Sequence, residues 1–96
     1  MSNIGEKYDQ AKPRWSLVPE GVMKEVIAVL EYGAAKYDVD NWQHVDNGRV
    51  RYYDAAMRHI DDWRQGSEID HESGLPHLAH AICNLMYLLS GNVKNE

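Results

Sequence analysis

The sequence is poor in cysteine, in basic residues and in long apolar runs. Its single cysteine, Cys83, cannot form a disulfide within the chain, which favours a reducing, cytoplasmic compartment. Ten basic residues stand against 15 acidic ones, and the resulting net charge of −5 argues against binding to duplex nucleic acid. No apolar run approaches the ~18 residues of a membrane-spanning helix, so no membrane partner is expected.

The length of 96 residues allows one domain and not two. We expect a single domain over 1–96, with an extended arm at 1–18, a helical core at 19–91 and a frayed tail at 92–96. A chain this short buries only about 60–65% of the surface that its unfolded form exposes. Oligomerisation, a metal or a ligand would therefore add to its stability.

Three segments show helical periodicity, and none shows the strict alternation of a strand. Helix 1 is predicted at about 19–37, because Pro19 suits a first helical turn. Helix 2 is predicted to begin after a cap at Asp46 or Asn47 and to stop at Gly66. Helix 3 is predicted to start at 75–76 and to end at Gly91. The sequence thus predicts an all-α fold, a small bundle of about three main helices.

The predicted core stripes follow from this periodicity. They comprise Met23, Val26, Leu30 and Tyr37 in helix 1, Val50, Tyr53, Met57 and Ile60 in helix 2, and Leu75, Leu78, Ile82, Leu85 and Leu89 in helix 3. Helix 3 is apolar nearly all round, and such a helix is usually buried. A three-helix chain cannot cover every side of one helix, so a homo-oligomer (a dimer or larger) is expected to complete the bundle.

A line of polar side chains interrupts helix 3, formed by His77, His80 and Asn84. At about 100° per residue, all three lie within about 60° of one another. Polar groups on a buried helix must be satisfied either by other protein groups or by a bound ligand or metal. Both interpretations remain open from the residues alone.

A second line runs along helix 2, where Tyr52, Ala55, His59 and Asp62 follow helical spacing and Arg58 lies beside them. A carboxylate next to an imidazole can orient it and raise its basicity, although the pair also fits an ordinary surface ion pair. The histidines and the acidic 67–74 loop could together ligate a divalent ion. The chain has no P-loop, no Gly-rich dinucleotide fingerprint and no Gly-x-Ser-x-Gly elbow.

Several sequence blocks resemble one protein family. They are the arm from Lys7 to Pro19, Glu25-Val26, the stretch 32–37, Asn41-Trp42, Arg58-His59, Trp63 and the run from Glu68 to Asn84. The last block is specific, and the others are individually weak but occur in the right order. Over about residues 7–89 the chain resembles the N-terminal domain of phage dATP/dGTP diphosphohydrolases, with a looser relation to MazG-like all-α pyrophosphatases.

The resemblance implies a metal-assisted enzyme that cleaves purine deoxynucleoside triphosphates into monophosphate and diphosphate. In that interpretation Mg²⁺ or Mn²⁺ is held by Glu25, Asp62, Asp70 and Glu72, and the catalytic residues are Glu25, His59 and Asp62. The expected nucleotide-binding residues are Lys12, Arg14, Lys36, Asn41, Trp42, Tyr52, Arg58, His77, His80 and Asn84.

A second function class stays open because the paired acidic motifs of MazG-like enzymes are absent. Glu25 and Ala28 stand where a Glu-x-x-Glu pair is wanted, and helix 3 carries His77-x-x-His80 instead of acids. This departure favours a non-catalytic sponge that needs no metal cofactor. Such a module would bind a nucleotide, for instance a host signalling nucleotide, and sequester it without cleavage.

Overall fold

The structure is a computed structural model, and it describes residues 4–96. Three helices form the fold: α1 (Val22–Lys36), α2 (Gly48–Arg64) and α3 (His77–Ser90), with short 3₁₀ turns at Trp15–Leu17 and Asn41–Gln43. Over the described residues the only β-type pairing is an isolated bridge between Ile69 and Pro76. The predicted all-α class with three main helices is confirmed. None of the helices described is both long and apolar enough to cross a bilayer.

The helix ends follow from local backbone chemistry. α1 starts three residues later than predicted because Gly21 adopts a left-handed conformation with φ of 82° just before it. Asn47 occupies the capping position of α2, as predicted, but its side chain makes no capping hydrogen bond. Pro76 is extended and delays α3 to His77, while left-handed Gly91 ends the helix at its predicted position.

The core within one chain lies where α3 packs against α1. Val26 and Val29 of α1 meet Ala79 and Cys83 of α3, and Val26 is the one large side chain of the described residues that is fully buried. The small side chains of α3 let the helices approach closely, and the Cys83 thiol donates a hydrogen bond to the Val26 carbonyl at 3.3 Å. On its other side α3 packs along α2, where Ala56 is fully buried.

The predicted core stripe of α2 is exposed over most of its length, and that of α3 is right only for Leu75 and Ile82, which pack against the core. Tyr37, predicted in the stripe of α1, is exposed too. Leu89 is 88% exposed and Val50 57% exposed, and Tyr53, Met57, Leu78 and Leu85 are exposed as well. α3 instead buries the face that carries His77, Ala81 and Asn84. The reason is that this face, with its alanines and compact polar groups, fits against α2. Over residues 4–96 most of these bulky apolar side chains therefore stay exposed, and the homo-oligomer remains a prediction.

The two ends of the chain differ in how they are held. The arm is exposed from Ile4 to Glu20 and contains the 3₁₀ turn Trp15–Leu17, while residues 1–3 of the predicted arm lie outside the described residues. The tail is not frayed, because the Arg49 backbone N–H donates to the Lys94 carbonyl at 2.9 Å and Lys94 Nζ lies 3.3 Å from Asp46 Oδ1. The expectation of a loose tail is thus corrected, because residues near Lys94 pack against the first turn of α2.

Candidate functional site

A cleft of about 450 Å³ lies between the end of α1, the loop that follows it, and the facing sides of α2 and α3. This volume falls within the range of small-molecule sites. The structure brings nine of the predicted site residues to its walls: Lys36, Asn41, Trp42, Tyr52, His59, Asp70, Glu72, His80 and Asn84. Residues from all three helices and both connecting loops therefore meet in one place.

One part of the cleft wall is aromatic. The 3₁₀ turn Asn41–Gln43 places the Trp42 indole on the ring of Tyr87, with centroids 4.7 Å apart and planes 12° apart. The Tyr52 ring packs at an angle against the Tyr87 ring, with centroids 5.1 Å apart. Burial raises the pKa of Tyr87 to about 12, so its hydroxyl stays neutral at physiological pH. We call Trp42, Tyr52 and Tyr87 the aromatic platform.

Three imidazoles, His59, His77 and His80, form a second feature that we call the histidine cluster. His59 Nδ1 lies 2.9 Å from His77 Nδ1, so the two rings share one hydrogen. The ring of His59 also stacks on that of His80, with centroids 4.6 Å apart. Burial lowers the pKa of both His59 and His80, and the nearby Asp70 only partly opposes this effect. Both rings are therefore neutral at pH 7.

The loop between α2 and α3 supplies a carboxylate to this cluster. The backbone N–H and the hydroxyl of Ser73 both donate to Asp70 Oδ2, at 2.9 and 2.8 Å. Since that hydroxyl has a single proton, His80 Nε2 at 2.7 Å from Ser73 Oγ must be the donor of the third bond. Partial burial raises the pKa of Asp70, but the Ser73 hydrogen bonds and the neighbouring imidazoles more than offset it, and the net pKa is lowered. Asp70 is thus a fixed, ionised group.

His77 is buried at the start of α3 and is held from two sides. Its Nε2 lies 3.2 Å from the Ser67 hydroxyl, and its Nδ1 lies 3.9 Å from Asp62 Oδ2. The expected pairing of His59 with Asp62 is not what the structure shows. Adjacent turns of α2 and α3 instead place His59 on His77, and the half-exposed Asp62 carboxylate reaches the edge of His77.

The cluster offers one group of metal-ligating atoms. Donor atoms of His59, Asp70 and His77 all lie within 4.8 Å of one another, and no other such group occurs within residues 4–96. The four carboxylates expected to hold a metal do not converge. Glu25 is exposed on α1 away from the cleft wall, and Glu72 is paired with Lys36 at 2.9 Å. Only Asp70 of the four belongs to the group that the structure assembles.

The expected cations are spread over three places. Lys36 lines the cleft beside Glu72 and lies 5.1 Å from the Tyr37 ring centroid. Lys12 and Arg14 are exposed on the arm and do not line the cleft. Arg58 lines a second cleft of about 470 Å³, which shares Tyr37, Asn41 and Tyr52 with the first. Tyr37, Asn41 and Tyr52 therefore separate Arg58 from the first cleft.

Three residues that shape the site were not predicted from the sequence. Ser73 links Asp70 to His80, Ser67 holds His77, and Tyr87 carries the aromatic platform. An acid followed three residues later by serine is a pattern typical of local side-chain-to-backbone turns, so Ser73 had a detectable signal. Tyr87 had none, because on an apolar helix its ring is indistinguishable from a core residue.

The fold and the cleft define a small all-α protein with an open cleft lined by aromatic rings, imidazoles and carboxylates. The chain belongs to the family described as dATP/dGTP diphosphohydrolase, N-terminal, whose model matches residues 2–96. It is 38% identical over 84 residues to a dATP/dGTP diphosphohydrolase of Salmonella phage PMBT28. That match covers 88% of this chain but 28% of the relative's length. No solved structure matches the chain.

Proposed function

We propose that the chain binds a purine deoxynucleoside triphosphate in the cleft and hydrolyses it to the monophosphate and diphosphate with the help of a divalent cation. The observation that carries this proposal is the joining, in one cleft, of the aromatic platform with His59, His80 and Asp70, behind which His77 lies buried. Family membership and the name of the phage relative supply the reaction and the purine class.

The aromatic platform is suited to the base. Trp42 and Tyr87 already stack on each other, so a base has a rigid, partly buried ring system against which to lie. Stacking of a base on an aromatic side chain is worth about 1–3 kcal/mol. Asn41, next to Trp42 on the same wall, adds an amide that can hydrogen-bond to a base edge or sugar.

One cationic side chain of the cleft wall, Lys36, is suited to the phosphates, whereas the wall's carboxylates would need a bound cation to offset their charge. The bond from Lys36 to Glu72 is exposed, so a phosphate can compete for the ammonium group at little cost. Arg14 and Lys12 lie on an arm that does not line the cleft in this structure. We propose that the arm closes over a bound nucleotide and adds two cations to its phosphates.

The residues around the histidine cluster are suited to the hydrolytic step. The proposed reaction adds water to the α-phosphorus and breaks the bond to the bridging oxygen, so that diphosphate leaves. The cation's contribution would be to offset phosphate charge, and the donor set of His59, Asp70 and His77 fits a divalent ion. As acceptor of the attacking water's proton we propose Asp62, which is half-exposed beside His77 and outside the cleft lining.

Product analysis tests the proposal directly. The chain is incubated with each of the four deoxynucleoside triphosphates in Mg²⁺, Mn²⁺, Co²⁺ or EDTA, and products are separated by anion exchange. We expect dAMP or dGMP with diphosphate only when a metal is present, and much slower turnover in Asp62→Asn. Asp61→Asn is the matched control, because Asp61 faces Gln65 instead of the cluster. Turnover unaffected by Asp62→Asn would contradict the assigned role.

One observation favours a second function, that of a sponge which sequesters a nucleotide without cleaving it. Within residues 4–96 the metal-ligating group contains a single carboxylate, and the other acidic residues of the cleft wall do not join it. The same wall carries imidazoles, amides and phenols. Such groups can hydrogen-bond phosphates and bases with no metal. Tight binding in EDTA with the nucleotide recovered intact, a signalling nucleotide included, would support the sponge and contradict the hydrolase.

A further inference from the structure

The histidine cluster differs in chemistry from the all-oxygen sites that Mg²⁺ prefers. We infer that His59, His77 and Asp70 form a binding site for a nitrogen-preferring divalent transition-metal ion of the Zn²⁺ or Co²⁺ type. A role for this ion in nucleotide hydrolysis rests on the proposed function. Binding of the ion itself stands on the geometry of these three residues.

The spacing of the two imidazole nitrogens supports the site. Ligand atoms bound at about 2.0–2.1 Å lie about 2.9 Å apart at right angles and about 3.3–3.4 Å apart in a tetrahedral site. His59 Nδ1 and His77 Nδ1 are 2.9 Å apart. An ion can therefore take the place of the hydrogen that the two rings share if the rings shift by a few tenths of an ångström and the Asp70 carboxylate, within 4.8 Å of both, moves closer.

The groups around the ligands hold them in orientation. Ser67 lies at hydrogen-bond distance from His77 Nε2, which leaves Nδ1 of that ring for an ion. Both hydrogen bonds from Ser73 go to Oδ2 of Asp70. No hydrogen bond from a described residue reaches Oδ1, which is thus open to coordination. Such outer contacts commonly change metal affinity by about 10–100-fold.

The donor types decide which ion fits. Imidazole nitrogen suits zinc, cobalt, nickel and copper, whereas Mg²⁺ demands near-octahedral oxygen ligands and keeps its waters. Two nitrogens and one carboxylate leave at least one position for water or a phosphate oxygen. Every buried side-chain polar atom of the described residues has a partner without an ion, so the helices can form first and bind the metal reversibly.

The test is a Co²⁺ titration of the chain, freed of any histidine tag and stripped with EDTA, followed by visible absorption. We expect saturable d–d bands at one ion per chain, displacement by Zn²⁺ and no displacement by excess Mg²⁺. His59→Ala and Asp70→Asn should each weaken binding by tenfold or more. His71→Ala is the matched control, since His71 lies exposed in the same loop and outside the cluster.

Circular dichroism checks that each variant keeps its helices. If His59→Ala fails to fold, Asp70→Asn still tests the site, because asparagine keeps the shape of the aspartate side chain. Unsaturable Co²⁺ binding, equal competition by Mg²⁺ or unchanged affinity in both variants would overturn the inference. The outcome is separable from that of the hydrolase proposal. A chain that binds Co²⁺ without cleaving any nucleotide keeps the site and refutes the reaction, whereas Mg²⁺-supported hydrolysis without Co²⁺ binding does the reverse.

Discussion

The Trp42 indole lies nearly parallel to the Tyr87 ring, with planes 12° apart and centroids separated by 4.7 Å. The first ring comes from the turn after α1 and the second from the end of α3, so the pair joins two distant parts of the chain across the cleft. Stacked aromatic pairs stabilise a structure by about 0.5–1.5 kcal/mol beyond the burial of their area. If the proposed nucleotide binds here, its base would lie against a pair of rings that already pack together.

Replacing Trp42 by alanine should weaken nucleotide binding by about tenfold or more, because base stacking is worth about 1–3 kcal/mol. Isothermal titration with a non-hydrolysable dGTP analogue measures the change. Trp63→Ala is the control, since Trp63 lies on α2 outside the cleft wall. Equal affinities for the two variants would remove Trp42 from the base site.

Replacing Arg14 by alanine tests whether the arm closes over the ligand. A charge-assisted hydrogen bond to phosphate contributes about 1.5–3 kcal/mol, so affinity for a triphosphate should fall about tenfold or more. The loss should be smaller for the nucleoside, which lacks phosphates. Lys24→Ala, an exposed cation on α1 that does not line the cleft, should bind like the parent. If Arg14→Ala does so too, Arg14 belongs to the solvated surface.

His80→Ala separates a structural role from a role in the site. His80 donates a hydrogen bond to the Ser73 hydroxyl, which in turn donates to Asp70. The His80 side chain also lines the cleft. We expect the variant to remain helical and to unfold cooperatively while losing nucleotide binding or turnover. His44→Ala, at an exposed position outside the cleft wall, is expected to behave like the parent. A lower melting temperature with unchanged binding would show that His80 acts only in packing.

Cys83 supplies a pH-dependent prediction. Burial raises the pKa of its thiol from 9.0 to about 11, which cuts the thiolate fraction of the folded chain near pH 8 by roughly 100-fold. Alkylation by iodoacetamide, followed by mass spectrometry, should be slow in the native protein and fast in urea. Between pH 9 and 11 the unfolded chain loses a proton that the folded chain keeps. The contribution of Cys83 to stability therefore declines as pH rises through this window. Rapid native alkylation would show that Cys83 is accessible.

Self-association should depend on the exposed apolar side chains of α2 and α3. Leu85→Glu places a charge among them and is expected to convert a dimer or larger assembly into monomers. Multi-angle light scattering at micromolar concentration measures the mass. Ile27→Glu, at a similarly exposed apolar position on α1, serves as the control. A parent chain that elutes as an 11.0 kDa monomer would refute the predicted oligomer.

The local structure can be predicted from residues that are close together in the chain. Apolar spacing indicated three helices, Gly91 marked the end of α3, and the spacing of His77, His80 and Asn84 placed their side chains on one face. These features depend on residues within a turn or two of one another. The 3.6-residue period and the conformational freedom of glycine suffice to predict them.

Which faces of the helices contact one another is seen only in the tertiary structure. The large apolar stripes looked like the core, yet the chain buries Ala56 and Ala79, because small side chains allow close helix contact. The contact between His59 and His77, like the stacking of Trp42 on Tyr87, depends on the rotation and register of helices far apart in sequence. Periodicity within one helix carries no information on that register, which is set by how side chains of the two surfaces interlock.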